Sequence, residues 1–326
     1  MGAQYHPAEL VDLRRLSARH LEPLLIEETA VWRDDLEWDF TRSADLVRRY
    51  VDMRALSGAA VMEDGVAAGY VYFVLEENKG LIGDLFVSRR ARGGMELENA
   101  LFDRALVDIA AHPAIGRVES QLMMLRGERG WPAPAAGHLL SCERNFMRIE
   151  LARAGLQEGR VRAPCYFDNW SDHYLDASAQ LIAAAYDGHI DGSINDQYRS
   201  PAGARRFLHS VVQYPGCGAF SSPASCAAFE AAGGTLCGIS LASLVAPECG
   251  HITQICVSPE VRGKGLGYAL LRRSLLALRN MGCRSASLTV TAANQEAVTL
   301  YERVGFHTVR TFQALVWEGF QPRRAA

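Results

Sequence analysis

Val257-Ser258-Pro259-Glu260-Val261-Arg262-Gly263-Lys264-Gly265-Leu266-Gly267-Tyr268 decides the reading of this chain. The apolar run before it, Ile252 to Val257, reads as a buried strand. Beyond it, Leu270, Leu271, Ser274, Leu275 and Leu278 recur at helical spacing and predict a helix over 269–278 with one buried face. Strand, glycine-rich turn and amphipathic helix in that order predict an anion site. Gly263, Gly265 and Gly267 carry no Cβ to hold an anion off, and the first N–H groups of the helix lack intrahelical partners. A phosphate there also meets the positive end of the helix dipole, worth up to about 2 kcal/mol in a partly buried site. Arg262 and Lys264 add positive charge at the mouth.

Spacing excludes two other phosphate loops. A P-loop needs Lys followed by Ser or Thr after its last glycine, and here Tyr268 and Ala269 follow Gly267. A dinucleotide fold places an acidic residue at the end of the next strand. The strand predicted here, Ser285 to Thr291, runs into Ala292-Ala293-Asn294 instead.

A second motif follows, Asn294-Gln295-Glu296-Ala297-Val298-Thr299-Leu300-Tyr301-Glu302-Arg303-Val304-Gly305-Phe306. With it, the chain resembles the GCN5-related N-acetyltransferase (GNAT) superfamily over roughly Tyr166 to Phe320. Arg262-x-x-Gly265-x-Gly267 is similar to that family's acyl-CoA pyrophosphate loop. Asn294…Leu300-Tyr301…Gly305-Phe306 is similar to its last helix and the following turn.

The resemblance implies acetyl-CoA as cofactor, held by Arg262, Gly263, Lys264, Gly265, Leu266, Gly267 and Tyr268. Cys256 and Val257 would pair through their backbone with the pantetheine arm, and Asn294 and Tyr301 would complete the set. Tyr301 is the implied general acid, because a phenol with a pKa near 10 stays protonated at neutral pH. Its other reading is a core tyrosine. Asn294 before Gln-Glu-Ala is also a good helix cap. Many family members carry an acidic residue three positions before the strand's valine. Here that place holds Gln254, which cannot accept a proton, so deprotonation is expected to run through ordered water to His251. His251 as a strand-edge surface residue is the other reading. The acceptor is expected on the segment 186–200, where His189, Asp191, Asn195, Asp196, Tyr198 and Arg199 could recognise a polar amine. A solvated loop built on Asp-Gly turns is the competing reading.

Self-comparison reveals a repeat at an offset of 170 residues. Gly80 to Ser88 falls on Gly250 to Ser258, and Ala91-Arg92-Gly93 falls on Val261-Arg262-Gly263. The hairpin at Glu63-Asp64-Gly65, with Gly69, matches the one at Gly233-Gly234, with Gly238. Cys142 to Phe146 aligns with Tyr301 to Phe306. The expected fold class is therefore α/β, with two tandem GNAT-like domains, each a mixed, mostly antiparallel sheet flanked by helices. A degenerate domain spans 1–160 and a catalytic, acyl-CoA-binding domain 161–326. This arrangement resembles the mycothiol synthase branch of the family. Each copy opens on two helices, 9–28 and 43–56, then 177–186 and 201–212. Met95 and Leu97 stand where the later copy has Gly265 and Gly267, and their side chains are expected to fill the pyrophosphate space. Trp131 to Ala136 reads as a loop.

The 326 residues carry a net charge of −3, with 22% charged and 49% hydrophobic residues, as in an ordinary globular protein. No basic face stands out, so no nucleic-acid partner is expected, and no apolar run predicts a membrane partner. Met1 to His6 lacks a signal peptide's apolar core. The eight cysteines form no C-x-x-C pair and no zinc-like spacing. They predict a reduced, cytoplasmic protein with no metal. Cys256 as a nucleophile lacks a visible His–carboxylate partner. The expected activity is transfer of an acetyl group to the amine of a small molecule or amino acid. The alternatives are acetylation of a protein or peptide N-terminus, and a non-catalytic acyl-CoA sensor.

Overall fold

The structure, a computed structural model, describes residues 9–126, 139–214 and 216–318. The loop expected at 131–136 and the opening residues Met1 to His6 lie outside them. Contacts divide the chain into two compact units. Unit 1 comprises residues 1–36, 40–141 and 312–326, and unit 2 comprises 37–39 and 142–311. Residues 142–160 thus belong with the later unit and residues 312–318 with the earlier one, a different division from one cut at residue 160.

The elements in chain order begin with β1 (Leu10–Asp12), α1 (Ala18–Leu36) and α2 (Thr41–Asp52). The strands β2 (Ser57–Glu63), β3 (Val66–Glu76) and β4 (Lys79–Val87) lead to α3 (Gly94–Ala110) and β5 (Arg117–Gln121). Then come β6 (Leu139–Glu150), β7 (Cys165–Asn169), α4 (Leu175–Ala185), the short α5 (Ile190–Ile194) and α6 (Pro201–Gln213). The strands β8 (Ala219–Phe220), β9 (Cys226–Glu230), β10 (Leu236–Ala246) and β11 (Cys249–Val257) precede α7 (Leu266–Asn280). The last elements are β12 (Ser285–Thr291), α8 (Gln295–Val304) and β13 (His307–Glu318).

In unit 1 the strand order is β1-β2-β3-β4-β5, closed by residues 314–318 of β13. In unit 2, residues 144–150 of β6 pair with β12, and the order continues through β11, β10, β9 and β7. Among the described residues, the parallel strand pairs within the two units are β4/β5 and β11/β12. Both units are thus mixed, mostly antiparallel sheets flanked by helices. The repeat is visible in the irregularities: Gly83 and Thr253, which align, both drop out of register with the preceding strand. Each bulge kinks its strand and ends the parallel pairing one residue earlier.

The predicted face of α7 is the observed one. Leu270, Leu271, Ser274, Leu275 and Leu278 are all buried, with Leu266 joining them. Each leucine contributes about 1.5–3 kcal/mol by leaving water, so Leu271→Ala would cost about 2–5 kcal/mol. Glycines on the sheet let the helix come close. A Cβ on Gly250 would lie 2.5 Å from Leu278, and one on its counterpart Gly80 would lie 2.5 Å from Ile109 of α3.

Two expectations need correction. Helix α1 begins at Ala18, not residue 9. Leu10–Asp12 pairs with β2, Asp12 caps a 3-10 turn, and His20 Nδ1 and Asp52 Oδ1 accept from the Ser17 and Ala18 amides at the helix start. Cys142 is no counterpart of Tyr301, because it lies in the strand β6 rather than in a helix. Local apolar spacing does not separate the two states over so few residues.

Candidate active site

Strand β11 pairs with β12 only from Cys249–Ser285 to Ile252–Leu288. Beyond that the two diverge, so residues 253–257 have β10 on one side and, among the described residues, no strand on the other. The loop to α7 starts where this open edge ends. Gly263 and Gly265 adopt φ of +70° and +88°, a region that side chains resist. A Cβ on Gly265 would lie 2.7 Å from the Arg160 carbonyl oxygen, whereas one on Gly267 would meet nothing within 4 Å. Protein packing alone therefore requires glycine at 265 but not at 267.

The segment 155–162 braces this loop from outside. The Arg162 amide donates to Lys264 O at 2.8 Å and its guanidinium to Gly263 O at 2.6 Å. The hydroxyl of Tyr268 donates to Gln157 O at 2.6 Å, and Arg272 donates to Leu156 O at 2.9 Å. Loop carbonyls are consumed in this way, while the N–H groups of Leu266, Gly267 and Tyr268 have no protein acceptor among the described residues. These are the orphan donors of a helix start, aimed outward. Arg262 is held elsewhere: its guanidinium donates to Ala185 O at the end of α4. Lys264 is exposed and leaves positive charge at the mouth.

Asn294 caps α8, accepting from the Ala297 amide at 3.3 Å. About two turns on from the cap, Tyr301 is 7% exposed and edge-on to Phe306. Burial first, and then the carboxylate of Asp191, pushes its phenol well above the ordinary value. It keeps its proton at any physiological pH.

Residues 154–306 match the sequence model of the acetyltransferase (GNAT) family. That stretch is a GNAT domain. Mycothiol acetyltransferase of Propionibacterium freudenreichii is 40% identical over 62 residues, 19% of this chain and 20% of that protein. Its Streptomyces scabiei namesake is 42% identical over 66 residues, 20% of this chain and 21% of that one. The matched stretch thus spans about a fifth of these relatives' length. Over the whole chain, the fold is similar to a tandem GNAT protein from the clavulanic acid biosynthesis pathway. The TM-score is 0.63 at 19% identity, covering 95% of this chain and 98% of that one. A GCN5-related N-acetyltransferase from Sphaerobacter thermophilus gives 0.61 at 18% identity, covering 97% and 98%. The tandem GNAT fold is thereby shown.

Inside the GNAT domain, Gln254 is 5% exposed and held between two tyrosines. Its Nε2 donates to the Tyr186 hydroxyl at 2.9 Å, and the Tyr198 hydroxyl donates to its Oε1 at 3.2 Å. The two rings stack at 4.6 Å. Burial lifts Cys256 to about 12, which leaves it a thiol and no nucleophile.

The route through His251 has to be given up. Its imidazole is 6% exposed, lies against Trp38 and Phe146, and shares a 2.9 Å hydrogen bond between Nδ1 and Ser287. Burial lowers it to about 4, so a proton would not stay on it at neutral pH.

The segment 186–200 divides between local structure and the site. Asn195 caps the 3-10 turn Asp196–Arg199 through the Gln197 amide, and Arg199 donates to Gly192 O at 2.7 Å. Tyr198, His189 and Asp191 turn inward. The Asn294 Nδ2 lies 3.3 Å from His189 Nε2, and the Thr291 hydroxyl donates to Asp191 Oδ1. Tyr186, Thr291 and Arg162 escaped the sequence reading. Thr291 and Arg162 have no local signal, and Tyr186 was legible only as a helix end.

Proposed function

We propose that this chain is an acetyl-CoA-dependent N-acetyltransferase acting on the amine of a small molecule or amino acid, with the chemistry in its GNAT domain. The observation that carries the reading is the pairing of three outward, unused amides at 266–268 with a side-chain-free position at 267. A diphosphate fits such a cradle, since the dipole, the donors and the room coincide. The open edge of residues 253–257 suits the amide-bearing arm of the same molecule by added-strand pairing. The thioester supplies an activated acyl group.

The chain's own residues then have divided work. Leu266, Gly267 and Tyr268 hold phosphate oxygens through their N–H groups, and Lys264 adds charge. Tyr301 Oη holds a proton for the sulfur that leaves, and its raised pKa keeps that proton in place until a thiolate appears. Gln254 binds without exchanging protons and fixes Tyr186 and Tyr198. Asn294 orders the start of α8 beneath Tyr301.

Thiol release from acetyl-CoA across a panel of amines tests this. Wild type is expected to turn over with at least one amine, and Tyr301→Phe to lower kcat by about 100-fold or more with CoA affinity unchanged. Tight CoA binding with no transfer to any amine would sink it.

A further inference from the structure

Where unit 1 has the sheet carboxylate Asp84, the aligned residue of the GNAT domain is Gln254, and its amide is committed to Tyr186 and Tyr198. An amine acceptor is a cation at neutral pH, so the site needs a negative charge from elsewhere. Asp191 is placed to supply it. Its Oδ1 accepts from the Thr291 hydroxyl at the end of β12, and Oδ2 lies 3.6 Å from His189 Nδ1. The carboxylate is 13% exposed, neither sealed in nor washed by bulk water. Its field reaches Tyr301 on α8, Tyr186 at the end of α4, Tyr198 on the 3-10 turn and Cys142 on β6. After burial, it is among the causes that raise each of them. The guanidinium of Arg144 on β6 acts on Tyr198 and Cys142 in the opposite sense. By contrast, Asp196 opens a 3-10 turn capped by its own neighbour, Asn195.

We infer that Asp191, positioned by Thr291 and His189, is the group that recognises the acceptor as an ammonium cation and takes a proton from it. The substrate class is then a primary amine that is charged at neutral pH. This rests on the acetyltransferase reading and narrows it. As the nitrogen bonds to the acyl carbon and the carbon–sulfur bond breaks, the nitrogen loses two protons. One leaves to solvent through Asp191, and the other makes good the proton that Tyr301 gives to the sulfur. A hydrogen-bonded carboxylate facing a desolvated cation is worth far more than one on an open surface. The stacked rings of Tyr186 and Tyr198 both lie within reach of the Asp191 charge.

The test uses the full chain with tyramine, glucosamine, cadaverine and glycinamide as acceptors, in wild type, Asp191→Asn, Asp191→Glu and Thr291→Val. Thiol release gives the kinetics, and calorimetry gives CoA affinity and amine affinity for the CoA-bound protein. Asp191→Asn is expected to lower kcat/KM for the amines it uses by about 100-fold, largely through KM, and to weaken amine binding in step. Asp191→Glu should restore about a tenth of the activity, and Thr291→Val should cost about fivefold. CoA affinity should hold within about threefold in all variants, which also certifies the fold. An Asn variant with kcat/KM and amine affinity within threefold of wild type would overturn the inference while leaving the acetyltransferase intact. So would an equal loss of CoA affinity and of transfer. A wild type that binds CoA and acetylates none of the four would instead take down the reading on which this one stands.

Discussion

The two units share a bulged core strand, a glycine-bearing turn and a helix laid over sheet glycines, yet they treat the turn differently. In unit 2 the protein binds the turn's carbonyls and leaves its amides. In unit 1 its own side chains occupy the turn. The Arg126 guanidinium donates to Val87 O at 2.6 Å and ion-pairs with Glu98, and a Cβ on Gly94 would sit 3.0 Å from it. The Glu27 carboxylate accepts from the Arg89 amide and the Ser88 hydroxyl, both at 2.7 Å. Met95 and Leu97 do not close the turn as expected: Met95 is 56% exposed, and Leu97 is buried in the core of unit 1. One backbone can be an open site or a finished surface, depending on whether the chain satisfies its own donors.

The interiors differ in the same sense. Beside Gln254, unit 2 keeps two neutral hydroxyls. Unit 1 buries Glu28 and Asp84 together, with the Tyr70 hydroxyl 2.8 Å from one and 3.0 Å from the other. Desolvation, and then the charge of Asp84, pushes Glu28 well above the carboxylate range, so Glu28 carries the proton. A closed unit can hold such a pair because nothing has to enter.

Four experiments bear on this difference between the units. The largest effect is expected for Gly267→Val, whose side chain would fill the open space over the amides. CoA affinity should fall by about 100-fold or more, with the thermal midpoint held, and wild type should bind one CoA per chain by calorimetry. A second CoA that survives in the variant would put a working site in unit 1. Next is Gly265→Ala, where φ is +88° and the new methyl meets Arg160 O. It should cost about 1–3 kcal/mol in denaturant unfolding, whereas Gly267→Ala should not destabilise.

The third concerns pH. The folded pKa of Glu28 is raised, so the stability linked to its proton is complete below the ordinary glutamate pKa of about 4.3 and is lost as pH climbs through the raised value. Unfolding free energy should therefore decline across that window, and Glu28→Gln should flatten the decline. A slope unchanged by the substitution would refute the placing of that proton on Glu28. The smallest effect belongs to Asp84→Asn. Acetyl transfer should stay within about twofold, since Asp84 lies in the unit with the closed turn; a loss of turnover would give unit 1 a catalytic share.

Some of this was legible in residues alone. The buried stripe of α7 follows from helical spacing, because a helix that covers a sheet must place its apolar side chains every three or four positions. The glycines of the turn, and the repeat of Gly80 in Gly250, were legible as places without a side chain, and at Gly265, Gly80 and Gly250 a Cβ would indeed strike a neighbour. The cap at Asn294 and the burial of Tyr301 lie within one motif and could be read together.

Other features are long-range, and no local pattern encodes them. The strand that closes unit 1 comes from residues 314–318, and unit 2 takes its own from residues 144–150, though both stretches look like ordinary β sequence. The Thr291–Asp191 and Gln254–Tyr186 contacts join residues 100 and 68 positions apart. His251 became an inert, caged base only through Trp38, more than 200 positions earlier in the chain. Periodicity and glycine placement are local consequences of backbone geometry, so the sequence alone determined the turn and its helix. Which donors stay unused, and which side chains hold Asp191, depends on partners far apart in the chain that folding alone brings together.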